Sequence, residues 1–405
     1  MQPIGIVCEY NPFHSGHLHH LSITRERSDG LLICCMSGDF VQRGDYAVFP
    51  RHVRAEAAVR CGADLVVELP LPWAVASAPR FAAGAVLILA ALGCRTLSFG
   101  SETGDAERLS RAAALLTSPE FDDAVRAELS VGTSYAAARA AAAETLGGFG
   151  NLLANPNDNL AVEYLRAAAE QGHPMTPLAI RRVGAAHDAA RSGDEFPSAS
   201  ALRAEMRQDP ALLPDGIPAS AAAVFARAKA EGLGPVFSER VTAAHMALLR
   251  RLSPADLAQL PDMGEGFEMR LFSAIRASSS PTEAADTAKT RRYAHSRIRR
   301  QLLAAYLGIT AKDSTGLPPY VRILAFGERG RAYLARLGKT EIPLISKPAR
   351  HGLSGDAARL FEKEALAADL YALALPDPAL HGAGGTYRLS PVYVRDVSIN
   401  ETINS

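Results

Sequence analysis

Two histidines in one short segment offer the clearest chemistry in the sequence. The segment EYNPFHSGH, residues 9–17, places His14 and His17 around Gly16. Imidazoles can donate hydrogen bonds to phosphate oxygens as negative charge builds there, and the glycine leaves room for a nucleotide against the backbone. The segment lies between an apolar run and a predicted helix, where unpaired N–H groups attract phosphate. The pattern predicts the nucleotide site of an adenylylating enzyme.

Two other interpretations of these histidines stay open at this point. Four histidines, His14, His17, His19 and His20, fall within seven residues and could bind a metal ion, although no acidic or thiolate partner stands nearby. They could also be ordinary surface residues. A serine-hydrolase triad is disfavoured because the sequence contains no G-x-S-x-G motif.

A second candidate phosphate site follows residue 195. Ser198 and Ser200 with Arg203 one turn later suit a helix start that binds the β- and γ-phosphates of a triphosphate. An ordinary serine N-cap with an exposed arginine would look the same. The histidine pair favours the phosphate site, because a nucleotidyl transferase needs a second clamp.

Further polar residues follow the predicted strands. Arg43 lies in a glycine-containing loop, Gly100 would let an adenine approach, and Arg182 could contact phosphate or base. Asn157 or Asp158 is predicted to cap a helix. Each of these residues could equally serve an ordinary turn, cap or charged surface.

A concentrated basic stretch spans residues 289–300. Half of its twelve residues are basic, with Tyr293 and His295 between them and no acid. Such clusters neutralise phosphate backbones, and an aromatic ring can stack on a base. The alternative is a solvated charged surface. The predicted RNA-binding residues are Lys289, Arg291, Arg292, Arg297, Arg299 and Arg300.

Alternating apolar runs and helices must position these groups. Near-continuous apolar strands separated by helices indicate a parallel sheet buried on both faces, a Rossmann-like α/β domain that binds ligands beyond the carboxyl ends of its strands. The predicted strands are residues 4–9, 31–36, 64–69, 96–99 and 177–183, and the first helices span about 17–28, 50–61 and 78–92.

The alternation stops near residue 210. We therefore expect an ATP-binding catalytic domain over residues 1–210 and a mainly helical, RNA-binding region over residues 211–405. A chain of 405 residues is long enough for two or three domains.

Composition limits the class of protein. The 43 basic and 43 acidic residues cancel, so any nucleic-acid site must be a local patch, and 48% hydrophobic content excludes general disorder. The longest uncharged run, residues 81–94, is too short to span a bilayer, and no signal peptide is visible. We expect a cytoplasmic protein whose scattered cysteines are reduced thiols and not zinc ligands: Cys8, Cys34, Cys35, Cys61 and Cys94.

The combined motifs resemble the bacterial tRNA(Met) cytidine acetate ligase family. The most specific matching segments are GIVCEYNPFHSGH at 5–17 and MSGDFVQRG at 36–44. The others are GADLVVELP at 62–70, FGSE at 99–102, PND at 156–158, residues 180–182, SASALR at 198–203, RRYAHSRIRRQLL at 291–303 and PYVRILAF at 319–326. Cys8 stands where a branched aliphatic residue is more usual, and Ser200 where threonine is common.

The resemblance implies an ATP-dependent ligase that activates acetate as acetyl-adenylate and acetylates N4 of the wobble cytidine of elongator tRNA(Met). It implies tRNA and not DNA as the partner, and His14 and His17 as the signature histidines. As in most phosphoryl chemistry, Mg²⁺ is expected to bridge the ATP phosphates, and no protein ligand for it is identifiable in the sequence. ATP would contact Val7, Cys8, Glu9, Tyr10, Asn11, Pro12, Phe13, His14, Ser15, Gly16, His17, Leu18, His19, His20, Gly100, Asn157 and Arg182.

Two rival functions remain on the residues alone. A nucleotidylyltransferase acting on a small phosphorylated metabolite explains the first domain but gives the basic stretch no role. A non-catalytic RNA-binding protein explains the basic stretch but makes the histidine pair incidental.

Overall fold

A single large sheet organises the chain. The computed structural model describes residues 2–130, 133–182, 196–264, 266–290 and 293–395. The strands are β1 (Pro3–Cys8), β2 (Leu31–Ser37), β3 (Phe40–Val41), β4 (Asp45–Tyr46), β5 (Leu65–Leu69), β6 (Thr96–Ser101), β7 (Thr176–Arg181), β8 (Val321–Phe326), β9 (Leu344–Ile345) and β10 (Val392–Tyr393).

Helices surround the sheet and form most of the second half. They are α1 (Ser15–Arg27), α2 (Arg51–Arg60), α3 (Leu71–Ala74), α4 (Ala78–Ala91), α5 (Ala106–Leu115), α6 (Pro119–Ser130), α7 (Tyr135–Gly147), α8 (Gly150–Ala154), α9 (Pro156–Glu170), α10 (Ala199–Gln208), α11 (Ala219–Ala230), α12 (Thr242–Leu249), α13 (Pro254–Ala258), α14 (Phe267–Ala277), α15 (Pro281–Ala288), α16 (His295–Leu307), α17 (Glu328–Arg336), α18 (Gly355–Ala372) and α19 (Gly385–Arg388).

The sheet confirms the predicted Rossmann-like class. Its order is β10-β8-β5-β2-β1-β6-β7, and the five strands from β5 to β7 are parallel. The chain moves outward from β1 in one direction and then restarts with β6 on its other side. Ligands of such sheets bind at this switch point, beyond the carboxyl ends of β1 and β6.

The second half of the chain returns to the sheet, which the sequence pattern did not predict. β8 pairs antiparallel with β5, and β9 and β10 both pair parallel with β8. The sheet is therefore mixed at this edge. The proposed division near residue 210 stays a prediction, and the region beyond it is mainly helical but contributes three strands.

Buried charges join this edge to the helical region. The Arg322 guanidinium of β8 lies between two carboxylates, 2.9 Å from Glu68 of β5 and 2.7 Å from Glu364 of α18. Arg51 pairs with Asp39, and its Nε lies 3.7 Å from Glu68. Breaking such a buried group would leave uncompensated charges in the interior, so it fixes α18 against the sheet.

Three apolar clusters form the core. One lies between α4, α5, α9 and one face of the sheet; a second lies between α1, α2, α11 and the other face; the third is formed mainly by α12 to α16 with α18. Cys34 and Cys35 belong to opposite faces, as expected of adjacent strand residues. None of the five cysteines, all of which lie in the described ranges, forms a disulfide bond. Among the described residues, no helix is long and apolar enough to cross a membrane.

Candidate active site

The start of α1 is capped by two imidazoles. His14 occupies the N-cap position, and its Nδ1 accepts the Gly16 N–H at 3.1 Å. The Nδ1 of His17 accepts the His14 N–H at 3.2 Å, which completes a reciprocal capping box. Because Nδ1 is an acceptor in both rings, each neutral ring must hold its proton on Nε2. The turn thus fixes two Nε2–H donors.

Burial keeps both rings neutral. Burial, with the nearby Arg182 and Arg203 as further causes, lowers the pKa of His14 to about 3. Burial also lowers the pKa of His17 well below its usual range, with His14 and Arg182 as further causes. The ring centroids are 3.7 Å apart. At neutral pH the pair therefore presents hydrogen-bond donors without adding positive charge of its own.

Gly16 is required by the histidine cap. A Cβ at this position would lie 3.0 Å from Cε1 and 3.1 Å from Nδ1 of His14. This explains the glycine differently from the sequence, which suggested space for a nucleotide. The close approach of the backbone lets the Gly16 N–H reach the imidazole.

A buried arginine holds the two loops behind this turn. The guanidinium of Arg54 donates to the carbonyls of Glu9, Ser37, Gly38 and Phe49. Glu9 follows β1, whereas Ser37 and Gly38 end β2, so one side chain ties together the carboxyl ends of adjacent strands. Sequence reasoning missed this residue, because an arginine in an amphipathic helix is normally assigned to the surface.

The other two histidines of the cluster have different surroundings. His20 Nε2 lies 2.9 Å from Ser98 Oγ on β6, and burial lowers its pKa to about 4. His19 packs beside Phe196. Across the described ranges, no group of three or more His, Cys, Asp or Glu side chains could hold a metal ion. The geometry therefore does not support the metal interpretation of the four histidines.

An open cavity of about 1280 Å³ lies beyond the strand ends. Of the predicted ATP contacts, those that line it are Val7, Cys8, Glu9, Tyr10, Asn11, His14, Gly16, His17, His19, His20, Gly100, Asn157, Arg182, Ser198 and Arg203. Those outside its lining are Pro12, Phe13, Ser15, Leu18 and Ser200. Phe13 is fully buried in the core, and Ser15 Oγ donates to the Gly216 carbonyl at 2.9 Å.

The second candidate phosphate site lies at the start of α10, where the structure shows both the serine cap and the position of Arg203. Ser198 caps α10 by accepting the Ala201 N–H at 3.2 Å, and Ser200 Oγ lies 3.0 Å from Ser198 Oγ. The Arg203 guanidinium is not a free surface charge, because it donates to the Asn11 carbonyl at 2.6 Å. The start of α10 is thereby attached to the segment that carries the histidines.

The predicted cap at Asn157 or Asp158 is wrong. Helix α9 begins at Pro156, and the carboxylate of Glu102 accepts the backbone N–H groups of Asn157 (3.2 Å) and Asp158 (2.8 Å). The Asp158 carboxylate is fully buried and accepts from Ser101 Oγ at 2.5 Å and the Glu102 N–H at 3.0 Å. These side chains fix α9 to the end of β6, and this places Asn157 at the cavity.

The basic stretch lies on the same cavity as the histidine pair. Lys289, Tyr293, Arg297, Arg299 and Arg300 line it, whereas the predicted contacts at 291 and 292 lie outside the described residues. Arg299 pairs with Asp45 at 2.7 Å. Arg297 stacks over Tyr293, with 4.7 Å from guanidinium carbon to ring centroid. Long sequence separation had concealed this proximity.

Gly44 allows the β3–β4 hairpin of the first half of the chain to contact α16 of the second half. Its φ is +74°, and a Cβ would lie 2.6 Å from the Arg300 backbone nitrogen. A side chain would therefore be strained and would push the β3–β4 hairpin away from α16. The glycine that ends MSGDFVQRG thus has a packing role between the hairpin and the basic stretch.

Charge is concentrated at this cavity although the whole chain is neutral. Among the described residues, two carboxylate side chains line it, Glu9 and Asp262. The cationic side chains that line it are Arg43, Arg181, Arg182, Arg203, Lys289, Arg297, Arg299 and Arg300. Such an excess attracts polyanions. Tyr135 and Tyr164 also line the cavity, and nothing in their sequence context distinguishes them from ordinary helix residues.

The fold, the histidine cap and the cationic cavity define a nucleotidyl transferase. The family described as HIGH Nucleotidyl Transferase matches residues 1–383 of the chain. Two curated relatives are more specific. The tRNA(Met) cytidine acetate ligases of Acetivibrio thermocellus and Caldanaerobacter subterraneus are both 34% identical to this chain, cover 95% and 94% of it, and are matched over 98% and 97% of their own lengths.

Solved structures support the same family assignment. Thermotoga maritima TmcAL superposes with a TM-score of 0.91 at 31% identity, covering 98% of this chain and 100% of its own. A second form of that protein, bound with alpha-thio ATP, gives a TM-score of 0.89 at 30% identity over the same shares of the two chains. The chain belongs to the tRNA(Met) cytidine acetate ligase family, which confirms the resemblance found in its sequence.

The protonation state of the pair can be tested directly. In the ligand-free protein we expect His14 and His17 to remain neutral, with the proton on Nε2, from pH 8 down to pH 4.5. Imidazole ¹⁵N–¹H spectra of histidine-labelled protein would show this, with His14→Asn and His17→Asn spectra providing the assignments. Titration of either ring near its unperturbed value of about 6.5 would contradict the geometry.

The same pKa shifts predict how stability depends on pH. Below about pH 6.5 these histidines bind a proton in the unfolded state but stay neutral in the folded state, which favours unfolding. Their contribution to the free energy of unfolding is therefore complete above that pH. It is lost as the pH falls toward the folded pKa, by up to about 1.4 kcal/mol per histidine for each pH unit.

Proposed function

We propose that this chain is an ATP-dependent ligase that activates acetate as acetyl-adenylate and acetylates N4 of the wobble cytidine of elongator tRNA(Met). The observation that best supports the proposal is the pair of fixed Nε2–H donors beside Arg182 and Arg203, on a cavity that also contains the basic stretch. One cavity thus offers contacts for a triphosphate and for an RNA phosphate backbone.

The first step joins acetate to the α-phosphorus of ATP. A carboxylate oxygen attacks, a phosphorus–oxygen bond forms, and pyrophosphate leaves with the electron pair of the broken bond. Negative charge grows on the α-phosphate oxygens, where His14 and His17 donate from Nε2. Arg203 and the start of α10 neutralise the leaving phosphates.

The second step transfers the acetyl group to the cytidine amine. The amine nitrogen attacks the acetyl carbon, AMP leaves, and the amine loses a proton. An unpaired anticodon base suits this reaction, because a base inside a helical stack cannot reach a cavity. The basic stretch would bind the phosphates that flank this base.

Three further proposals accompany this function. Magnesium would enter with ATP on the phosphate oxygens, since the described residues provide no cluster of metal ligands of their own. The protein would act in the cytoplasm, where tRNA is modified. Residues 1–210 would supply the nucleotide contacts, and residues 211–405 most of the tRNA contacts.

The rival enzyme, a nucleotidylyltransferase for a small phosphorylated metabolite, would release pyrophosphate without acetate. It also leaves Lys289 and Arg297 without a role, although both line the cavity. A non-catalytic RNA-binding protein would not need donors oriented by a histidine capping box.

Replacing the histidines should stop adenylate formation. His14→Asn and His17→Asn should each slow acetate-dependent pyrophosphate release by about 10²–10³-fold, because one fixed donor to the transition state is lost. Asparagine at position 14 is a good N-cap residue, so α1 should still form. His14→Ala removes both the cap and the donor, and comparing the two variants by thermal unfolding separates stability from chemistry. Near-normal release by the asparagine variants would refute the assignment.

Replacing cavity cations should affect tRNA but not ATP. The Lys289 ammonium makes no hydrogen bond or ion pair among the described residues, so Lys289→Ala removes a charge without breaking a contact that the structure describes. In a double variant, Arg297→Ala removes a second charge. We expect weaker tRNA binding, and a logarithmic salt dependence reduced by roughly 0.7–0.9 for each lost phosphate contact. Acetate-dependent pyrophosphate release should persist.

Lys339→Ala is the matched control, since Lys339 is exposed and lies outside the cavity. Unchanged tRNA affinity in the double variant would assign the tRNA site to another surface. Simultaneous loss of tRNA affinity and pyrophosphate release would point to a structural role for the start of α16.

A further inference from the structure

Strand β1 divides the cavity into two parts. Gly100 and Arg182 belong to the side of β6 and β7, where the proposed nucleotide contacts lie. On the other side, beyond β2 and β5, the lining comes from Gln42, Ser77 and Phe81. These three residues take no part in the nucleotide contacts proposed above. The histidine pair follows β1 and therefore stands between the two parts.

A tyrosine hydroxyl that is left unpaired by the described residues lines the cavity. Tyr164 of α9 is only 5% exposed, and its hydroxyl makes no hydrogen bond to any residue that the structure describes. The hydroxyl is not enclosed by protein, so a ligand in the cavity can reach it. Burial raises the pKa of Tyr164, so the hydroxyl keeps its proton and can donate to an anion.

The start of α4 offers further donors. Ser77 is the N-cap residue of this 14-residue helix, but its side chain makes no capping hydrogen bond, and both Ser77 and Ala78 line the cavity. Unpaired N–H groups and the helix dipole favour an anion at such a position. Helices α4 and α9 pack together, and both contribute residues to the lining of the cavity.

Two apolar rings also line the cavity. Phe81 lies one turn into α4 and is 2% exposed, and Phe99 of β6 is 5% exposed. Both belong to the same core cluster as Tyr164, so they are held rigidly. The Glu9 carboxylate also raises the pKa of Tyr164, and its Oε1 accepts the Gln42 N–H at 2.7 Å.

We propose that Tyr164, Ser77 and the start of α4 bind the carboxylate of acetate, and that Phe81 and Phe99 enclose its methyl group. The subsite rests on the function proposed above and specifies where its acid substrate binds. Acetate reacts as the anion, so no proton moves when its oxygen attacks the α-phosphorus and pyrophosphate departs. The rigid aromatic wall would exclude longer or branched acids.

Acetate titrations of pyrophosphate release at saturating ATP test the subsite. Tyr164→Phe deletes only the hydroxyl and should raise the KM for acetate by about 10-fold or more, the typical effect of losing a hydrogen bond to a charged group. Ser77→Ala should act in the same direction. The Kd for ATP, measured by calorimetry, should stay within about twofold of the wild-type value, since neither residue is among the proposed nucleotide contacts.

Two variants complete the design. Tyr333→Phe is the matched control, because the Tyr333 hydroxyl donates to the Leu92 carbonyl at 2.6 Å away from the cavity, and its KM for acetate should equal that of the wild type. Phe81→Leu shortens the wall and should raise the rate with propionate relative to acetate. A wild-type KM for acetate in Tyr164→Phe, or an equal weakening of ATP binding, would overturn the subsite.

Direct binding separates the subsite from the reaction. Line broadening of ¹³C-acetate in the presence of a non-reactive ATP analogue should be seen with the wild type and be reduced in Tyr164→Phe. Acetate binding without pyrophosphate release would overturn the proposed function but keep the subsite. Normal pyrophosphate release combined with unchanged acetate binding by Tyr164→Phe would overturn the subsite alone.

Discussion

The first turn of α1 is the constraint on which the site depends. Its backbone N–H groups must find acceptors, and two of them find the Nδ1 atoms of His14 and His17. The same hydrogen bonds fix the tautomer, orient the rings and require a glycine between them. Burial then keeps both rings neutral. The same two side chains thus cap the helix and line the cavity, each with an Nε2–H that the cap leaves unused.

The surroundings of this turn determine what it can bind. Arg54 joins the carboxyl ends of β1 and β2, and Arg203 attaches the start of α10 to Asn11. Gly44 allows α16 to approach the β3–β4 hairpin, so that basic residues far away in the sequence reach the cavity. A nucleotide, a small acid and an RNA strand can therefore meet at one place, as a two-step ligase requires.

Local patterns made the first half of the fold predictable. Strands β1, β2, β5 and β6 and the histidine turn follow from apolar runs and from spacing within a few residues, and all lie near the predicted positions. Strand β8 was not recognised because its partner β5 is some 250 residues away, and nothing local specifies an antiparallel edge. Asp158 was misassigned because a carboxylate at a helix start looks like a cap, whereas its actual partners lie at the end of β6.

The candidate site was only partly predictable for the same reason. His14, Arg203 and Lys289 could be selected from residue type and spacing, but their placement on one cavity depends on the packing of α10 and α16. Tyr164 could not be selected from the sequence, because a tyrosine on the buried face of a helix is normally assigned to the core. Only the structure shows that its side chain also lines the open cavity.

The central claim is that acetate attacks the α-phosphorus of ATP. Its most direct test follows oxygen atoms from doubly ¹⁸O-labelled acetate in a reaction that contains the wild-type protein, ATP and elongator tRNA(Met). Attack on the α-phosphorus followed by acetyl transfer must leave one acetate oxygen on AMP, so mass spectrometry should find AMP with a single ¹⁸O and unlabelled pyrophosphate. Unlabelled AMP, or label in orthophosphate or pyrophosphate, would show that acetate is activated at another phosphorus and would contradict the role given to His14 and His17.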